Sequence, residues 1–199
     1  MLGLVNGVLL SFLLDTYGAW APQEALRLAG LDDQEFEAML PYDSDMTRRL
    51  RDAAARVLQK PPEAMLEDVG TYLVSHPNAQ SIRRLLRFCG TDFLDFLHSL
   101  EELPDRVRLA VPDLDLPEIE LHDGAGLVFR IEGGPDWPGF GHVLVGLLRA
   151  MADDYGALAL LEHRALPDGS EEVTVHLVEA DYAEGRSFVL GADRRRAVP

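Results

Sequence analysis

Six histidines, His76, His98, His122, His142, His163 and His176, are the side chains of this 199-residue chain best suited to hold a metal or move a proton near neutral pH. None stands in an HExxH or other close ligand pairing. His76 precedes Pro77 in a turn, and His163 and His176 fall in segments that read as strands, where ordinary paired positions are expected. The acidic doublets Asp43/Asp45 in "DSD" and Asp113/Asp115 in "DLD" lack the glycine and glutamate of a calcium loop, so capping and solvated charge are their expected uses. There is no Walker loop, no GxSxG and no GxGxxG, and "EGGPDWPGFG" has no strand–turn–helix phosphate setting. The single cysteine, Cys89, excludes an intrachain disulfide or a multi-cysteine metal site and is expected to be a buried, inert thiol. The residues therefore predict no metal site and no enzyme.

One residue is out of place. In "DFLDFLHSLEELPDRV", Phe93, Phe96, Leu97, Leu100, Leu103 and Val107 recur at helical spacing. At about 100° per residue, Pro104 lies within about 20° of Phe93, in the middle of that apolar stripe, with His98 on the opposite face. A proline there has no N–H to donate and clashes with the carbonyl four residues back, so the helix is expected to kink or break and Leu103 to leave helical angles.

The surrounding elements fall into two halves. The first half reads as helices: residues 2–17, apolar nearly all round; "APQEALRLAG", starting at Pro22 and closed by Gly30; a short "DDQEFEAML"; "DMTRRLRDAAARVLQ", capped by Ser44 or Asp45; then "PEAMLEDVGTYLVSH" and "SIRRLLRFCG". The second half changes period. "PEIELHD" and "GLVFRIEG" alternate around "DGAG", and "ALALLEHRAL" and "EEVTVHLVEAD" around "PDGS", with the amphipathic "HVLVGLLRAMADDYG" between the two hairpins. The expected fold class is α+β: a helical part over residues 1–110, then β-β-α-β-β over 117–180 within a single domain of residues 1–183, and a loose tail over 184–199.

The formal net charge of −16 argues against a nucleic-acid partner, which needs Lys and Arg against phosphate, and against anionic membranes. The opening apolar run ends at Asp15 with no Lys or Arg before Arg27, so it fits neither a signal peptide nor a membrane span; a cytoplasmic protein is expected.

The chain resembles the heme nitric-oxide/oxygen-binding (H-NOX) family, related to the sensor domain of soluble guanylate cyclase. The resemblance runs over roughly residues 1–180. It is carried by Gly3, Asn6, Tyr17, Gly18, Trp20, Ala29 and Gly30 in the opening segment, "YDSD" after Phe36, and "VGTYLV" with Gly70 and Tyr72. "GTDFLDFLHSLEEL", "PDLDLP" and "VGLLRAMADDYG" continue it. It implies helices followed by an antiparallel sheet with an inserted helix, and a stand-alone gas sensor or regulatory domain acting on a histidine kinase or a cyclic-dinucleotide enzyme.

It also implies a heme held at places that this chain has changed. The family's axial histidine, in a pattern like L-D-x-L-H, corresponds to Pro104, whose amide nitrogen is spent in peptide resonance and offers iron no lone pair. The Y-x-S-x-R that grips the heme carboxylates corresponds to Ile131, Gly133 and Pro135, which supply neither hydroxyl nor guanidinium. The only nearby arginine is Arg130, and Glu132 in that position would repel the carboxylates. Pro117, thirteen residues after Pro104, matches the proline that presses on the porphyrin. Heme is thus implied by family and expected to be weak or absent here. Trp137 and Phe140 either plug the vacated pocket or cap an ordinary core. His142, at the start of the helix flanking the pocket's other side, is the alternative ligand. A heme-free module binding a protein or another small ligand is the alternative function.

Overall fold

The computed structural model describes residues 1–123, 127–132 and 137–188. Among the described residues, eight α-helices and four strands follow the expected order of a helical half and then β-β-α-β-β. The helical half holds α1 (Gly3–Tyr17), α2 (Trp20–Ala29), α3 (Ser44–Leu58), α4 (Pro62–Ser75), α5 (Gln80–Arg87), α6 (Phe93–His98) and α7 (Leu103–Ala110). The second half holds β1 (Glu118–Asp123), β2 (Leu127–Glu132), α8 (Phe140–Tyr155), β3 (Leu158–Ala165) and β4 (Glu171–Glu179). The strands form one antiparallel sheet in the order β1-β2-β4-β3, which makes the fold α+β. The turn residues 124–126, as well as Gly133 and Pro135, lie outside the described residues.

Two apolar clusters divide the core. One gathers α1 to α4 around Phe12, Leu13, Leu50 and Met65. The other gathers α6, α8 and the sheet around Phe93, Phe96, Phe129, Ile131 and Leu148. Helices α4 and α8 join them at backbone contact. A Cβ on Gly146 would stand 1.8 Å from Glu67 O, and one on Gly70 2.0 Å from Val143 O. Only glycine fits at either position.

Some local expectations need correction. "DDQEFEAML" is not a helix. Its backbone serves α1 instead: Leu40 O and Ala38 O accept from Gly3 N and Leu4 N, donors in the first turn of α1 that have no partner inside the helix. Tyr42 fixes the segment, its hydroxyl accepting from Glu37 N and donating to Glu35 O. The cap of α3 is Asp43, which accepts from Asp45 N at 2.9 Å, rather than Ser44 or Asp45. Helix α2 starts two residues before Pro22. Cys89 is half-buried, with its Sγ 3.3 Å from Leu85 O.

The Pro104 segment breaks as expected, though not where expected. Helix α6 stops at His98, Leu100–Glu102 make a tighter 3-10 turn, and α7 starts at Leu103 with proline in its first turn. The Leu103 N–H takes the Leu100 carbonyl that a residue at 104 would otherwise bond, so the missing donor leaves no orphan there. Leu103 keeps helical angles (φ −59, ψ −44), contrary to the sequence expectation. The disfavour of the pre-proline position is offset by burying Leu103 and Pro104.

Candidate functional site

A cavity of about 1030 Å³ opens between the two cores, at the upper end of the roughly 300–1,000 Å³ of small-molecule pockets. Its apolar walls come from one face of each of five helices. Leu4, Val5, Val8 and Leu9 of α1 stand against Leu66, Val69 and Leu73 of α4. Ile82, Leu85 and Leu86 of α5 face Val143, Leu144 and Leu147 of α8. The remaining wall is Leu103, Val107 and Ala110 of α7 with Val111, Leu114 and Leu116 beyond it. Leu103, Val107 and Ala110 form a single helical stripe, and Val111, Leu114 and Leu116 extend it past the end of α7. The apolar surround of α1, which reads as burial on all sides, divides in the same way: Phe12 and Leu13 enter the core, while Leu4 and Val5 face the cavity.

Trp137 and Phe140 form part of the wall. Their rings meet edge to face at 5.7 Å, and Trp137 Nε1 donates to Asp115 O at 2.8 Å, tying the entrance of α8 to the loop after α7. They line an open volume rather than fill it.

Most of the polar lining comes from a single element. Ser44, Asp45, Thr47, Arg48 and Arg51 lie on the first turns of α3, and Ser81 is added by α5. Arg48 pairs with Asp45, while Arg51 donates to Asp52 and to Pro138 O. Thr47 Oγ1 is buried without a hydrogen-bond partner among the described residues. Arg48, Arg51 and Thr47 were not legible as site residues: on the sequence they are the polar face of an amphipathic helix.

The expected site residues are placed as follows. Pro104 and Pro117 are buried, and neither lines the cavity, although Leu103 and Leu116 next to them do. Ile131 is fully buried in the second core, opposite Ile119 and Glu171 on the neighbouring strands. Arg130 reaches Asp168 at 2.5 Å. Among the described residues that line the cavity there is no histidine, cysteine or tyrosine. His98 is exposed. His142 is in the first turn of α8, on the side turned from the cavity, where its ring lies 3.9 Å from that of His163.

The model of the family described as "Haem-NO-binding" matches residues 2–162. The chain is 23% identical over 158 residues to the soluble guanylate cyclase gcy-31 of Caenorhabditis elegans, a match covering 77% of this chain and 22% of that protein. It is 25% identical over 93 residues to the guanylate cyclase soluble subunit beta-2 of Rattus norvegicus, covering 47% and 14%. The chain therefore spans less than a quarter of the length of either relative. The fold matches the Fe(II) unliganded H-NOX protein from K. algicida with a TM-score of 0.76 at 17% identity, over 92% of this chain and 100% of that one. It matches an H-NOX protein from S. oneidensis with a TM-score of 0.74 at 17% identity, over 94% and 100%. With the helical half, the sheet and the inserted helix in their order and the family model spanning residues 2–162, the chain belongs to the haem-NO-binding family.

Proposed function

We propose that this domain is a sensor or regulatory module of a signalling system that keeps the family's pocket and has given up histidine-ligated heme. The observation carrying this reading is the chemistry around the cavity. The position that the family resemblance assigns to the axial histidine is Pro104, and no described lining residue offers an imidazole, thiolate or phenolate. An axial ligand has to donate a lone pair to iron, so the residues present do not fit histidine-ligated heme. The loss at Ile131, Gly133 and Pro135 points the same way, since the heme carboxylates would lack their bidentate cationic partner.

The occupant that suits the walls is a small apolar molecule with one polar group. Leucine, valine and isoleucine dominate the lining, and Thr47 supplies a buried hydroxyl with no partner among the described residues, beside Arg48 and Arg51. A buried hydroxyl without a hydrogen bond costs about 1–3 kcal/mol, which a ligand's polar atom would recover. The partner in this reading is a signalling enzyme in the cytoplasm, a histidine kinase or a cyclic-dinucleotide enzyme. None of the described helices is long and apolar enough to cross a membrane.

The test is the absorption spectrum and heme content of the purified chain expressed with ample heme. The expected result is no stoichiometric Soret band. One equivalent of heme with a histidine-ligated spectrum overturns the reading. Native mass spectrometry of protein from its own host then separates a sensor, which retains a small molecule, from a heme-free interaction module with an empty cavity.

A further inference from the structure

We propose that His142, His163 and Glu171 form a binding site for a divalent first-row transition metal of the zinc class, on the side of α8 turned away from the cavity. His142 is in the first turn of α8, His163 is on β3 and Glu171 opens β4. His163 and Glu171 pair with Val173 and Ala165, so they are diagonal neighbours on the sheet face that α8 covers. One ligand atom from each of the three residues lies within 4.8 Å of the other two. His163 Nε2 is 2.6 Å from Glu171 Oε2, and the two imidazole rings are centred 3.9 Å apart. Ligand atoms on a tetrahedral ion with bonds of about 2.0–2.2 Å stand about 3.3 Å apart, a value inside that spread.

The surroundings are built for a cation. The Glu171 carboxylate is oriented by two backbone donors, Gly139 N to Oε1 at 3.1 Å and Gly141 N to Oε2 at 3.2 Å. Such outer contacts fix the direction of a metal ligand. A Cβ at Gly141 would stand 2.5 Å from Glu171 Oε2 and 2.8 Å from His163 Nε2, so glycine opens the space in which the three groups converge. His142 Nδ1 is buried and makes no hydrogen bond among the described residues, and Glu67 Oε1, 3.7 Å from it, adds a second carboxylate at the margin. Side-chain exposures of 17%, 15% and 11% for His142, His163 and Glu171 shelter the ligands and leave a path for an ion.

Two imidazoles and one carboxylate on three separate elements are a ligand set of zinc and non-heme iron(II) sites, which leave positions open for water or a further ligand. An ion bound here replaces the His163–Glu171 hydrogen bond and pins the start of α8 to the β3–β4 hairpin. The following residues of that helix, Val143, Leu144 and Leu147, are walls of the cavity. The site requires no heme and no particular occupant of the cavity, so its test stands apart from that of the sensor reading.

The whole chain is titrated with Co²⁺, whose visible bands report coordination, and Co²⁺ is then displaced with Zn²⁺. Wild type is expected to bind one equivalent in the presence of excess Mg²⁺. His142→Ala, His163→Asn and Glu171→Gln are each expected to weaken binding at least about tenfold, since even outer-sphere partners are worth about 10–100-fold. His163→Asn keeps a donor for Glu171, and circular dichroism checks that each variant is folded. No stoichiometric Co²⁺ bands in wild type, loss of binding in Mg²⁺, or unchanged affinity in folded His142→Ala and His163→Asn would each overturn the site and leave the cluster a structural hydrogen bond.

Discussion

Arg83 Nε donates to Asp154 Oδ1 at 2.9 Å, and that carboxylate has no exposed surface. Arg87 adds a second contact, its Nε 3.4 Å from Asp154 Oδ2 and its guanidinium carbon 3.9 Å from the centre of the Tyr155 ring. Two cations of α5 thus converge on one carboxylate at the end of α8. The chain returns to the same place after the sheet, where Arg186 N donates to Asp154 O and the Phe188 ring lies near Arg87. Arg186 and Phe188, within the 184–199 stretch, are thus held at the end of the helix that forms a wall of the cavity.

Asp154→Ala is expected to destabilise the fold by about 3–5 kcal/mol, because removing one partner of a buried ion pair strands the other charge. Two guanidinium groups, 12% and 14% exposed, would be left without their carboxylate. Urea unfolding at neutral pH measures this. A change under about 1 kcal/mol, the range of exposed pairs, would show that the arginines find other partners.

Gly146→Ala is expected to cost about 3 kcal/mol or more, beyond ordinary overpacking at about 1–3 kcal/mol. The atom that the new methyl group meets is the backbone carbonyl of Glu67, which cannot swing aside as a side chain would. Thr71 Oγ1 bonds both Glu67 O and Gly146 O, at 3.1 and 3.3 Å, and holds the crossing closed. In a chain of this size each kcal/mol moves Tm by about 2–4 °C, so calorimetry reads the effect directly. Helices α4 and α8 both line the cavity, and spreading them is expected to alter occupancy of the pocket as well.

Much of this architecture was legible from period and punctuation. The 3.6-residue pattern of α8 and the two-residue alternation of the hairpins depend on local faces, and Gly30 and Gly156 close their helices with positive φ where a stop signal stands in the sequence. The 31–41 segment failed because its partners are the first N–H groups of α1, some thirty residues back. No local pattern records such a bond. The meeting of His142, His163 and Glu171 was hidden for the same reason. Each looks ordinary on its own element, and only the packing of α8 on β3 and β4 brings them together. Gly70 and Gly146 stood within stretches that carry the family resemblance, yet their purpose, the backbone contact between α4 and α8, emerges only in three dimensions.

The pair Asp15–Tyr72 predicts stability limits at both ends of the pH scale. The Tyr72 hydroxyl donates to Asp15 Oδ2 at 2.7 Å, and Asn78 adds a second donor at 2.9 Å. These two hydrogen bonds hold Asp15 below its ordinary value. Burial, then the Asp15 carboxylate, pushes Tyr72 up to about 12. For Asp15 the folded state releases its proton more readily than the unfolded chain, so its contribution is present above about pH 3.9 and is lost as pH falls through the depressed folded value. For Tyr72 the folded state keeps its proton longer. That contribution is whole below about pH 10 and is lost as pH rises toward 12. Tyr72→Phe is expected to lower Tm by several degrees at neutral pH and to flatten both limbs of the Tm–pH curve. It should also remove the highest tyrosine midpoint from an ultraviolet titration. An alkaline limb unchanged in Tyr72→Phe would assign it elsewhere.

Repair of the proposed heme positions gives the sharpest prediction. Pro104→His restores a nitrogen donor beside Leu103, which lines the cavity, and also restores an N–H to the helix. With nothing to grip the heme carboxylates, this change alone is expected to give at most weak uptake, read as substoichiometric Soret absorbance in a heme titration. Adding Gly133→Ser and Pro135→Arg supplies the cationic partner and is expected to tighten binding. Ile131→Tyr differs in kind. Ile131 is fully buried among Phe129, Ile119 and the α8 side chains of the second core, so a phenol there overpacks and costs about 1–3 kcal/mol. The triple variant without Ile131→Tyr is therefore expected to bind heme better than Pro104→His alone while keeping its Tm within a few degrees, and adding Ile131→Tyr is expected to lower Tm. Equal, tight binding in the parent and in every variant would mean that iron finds its ligand without position 104.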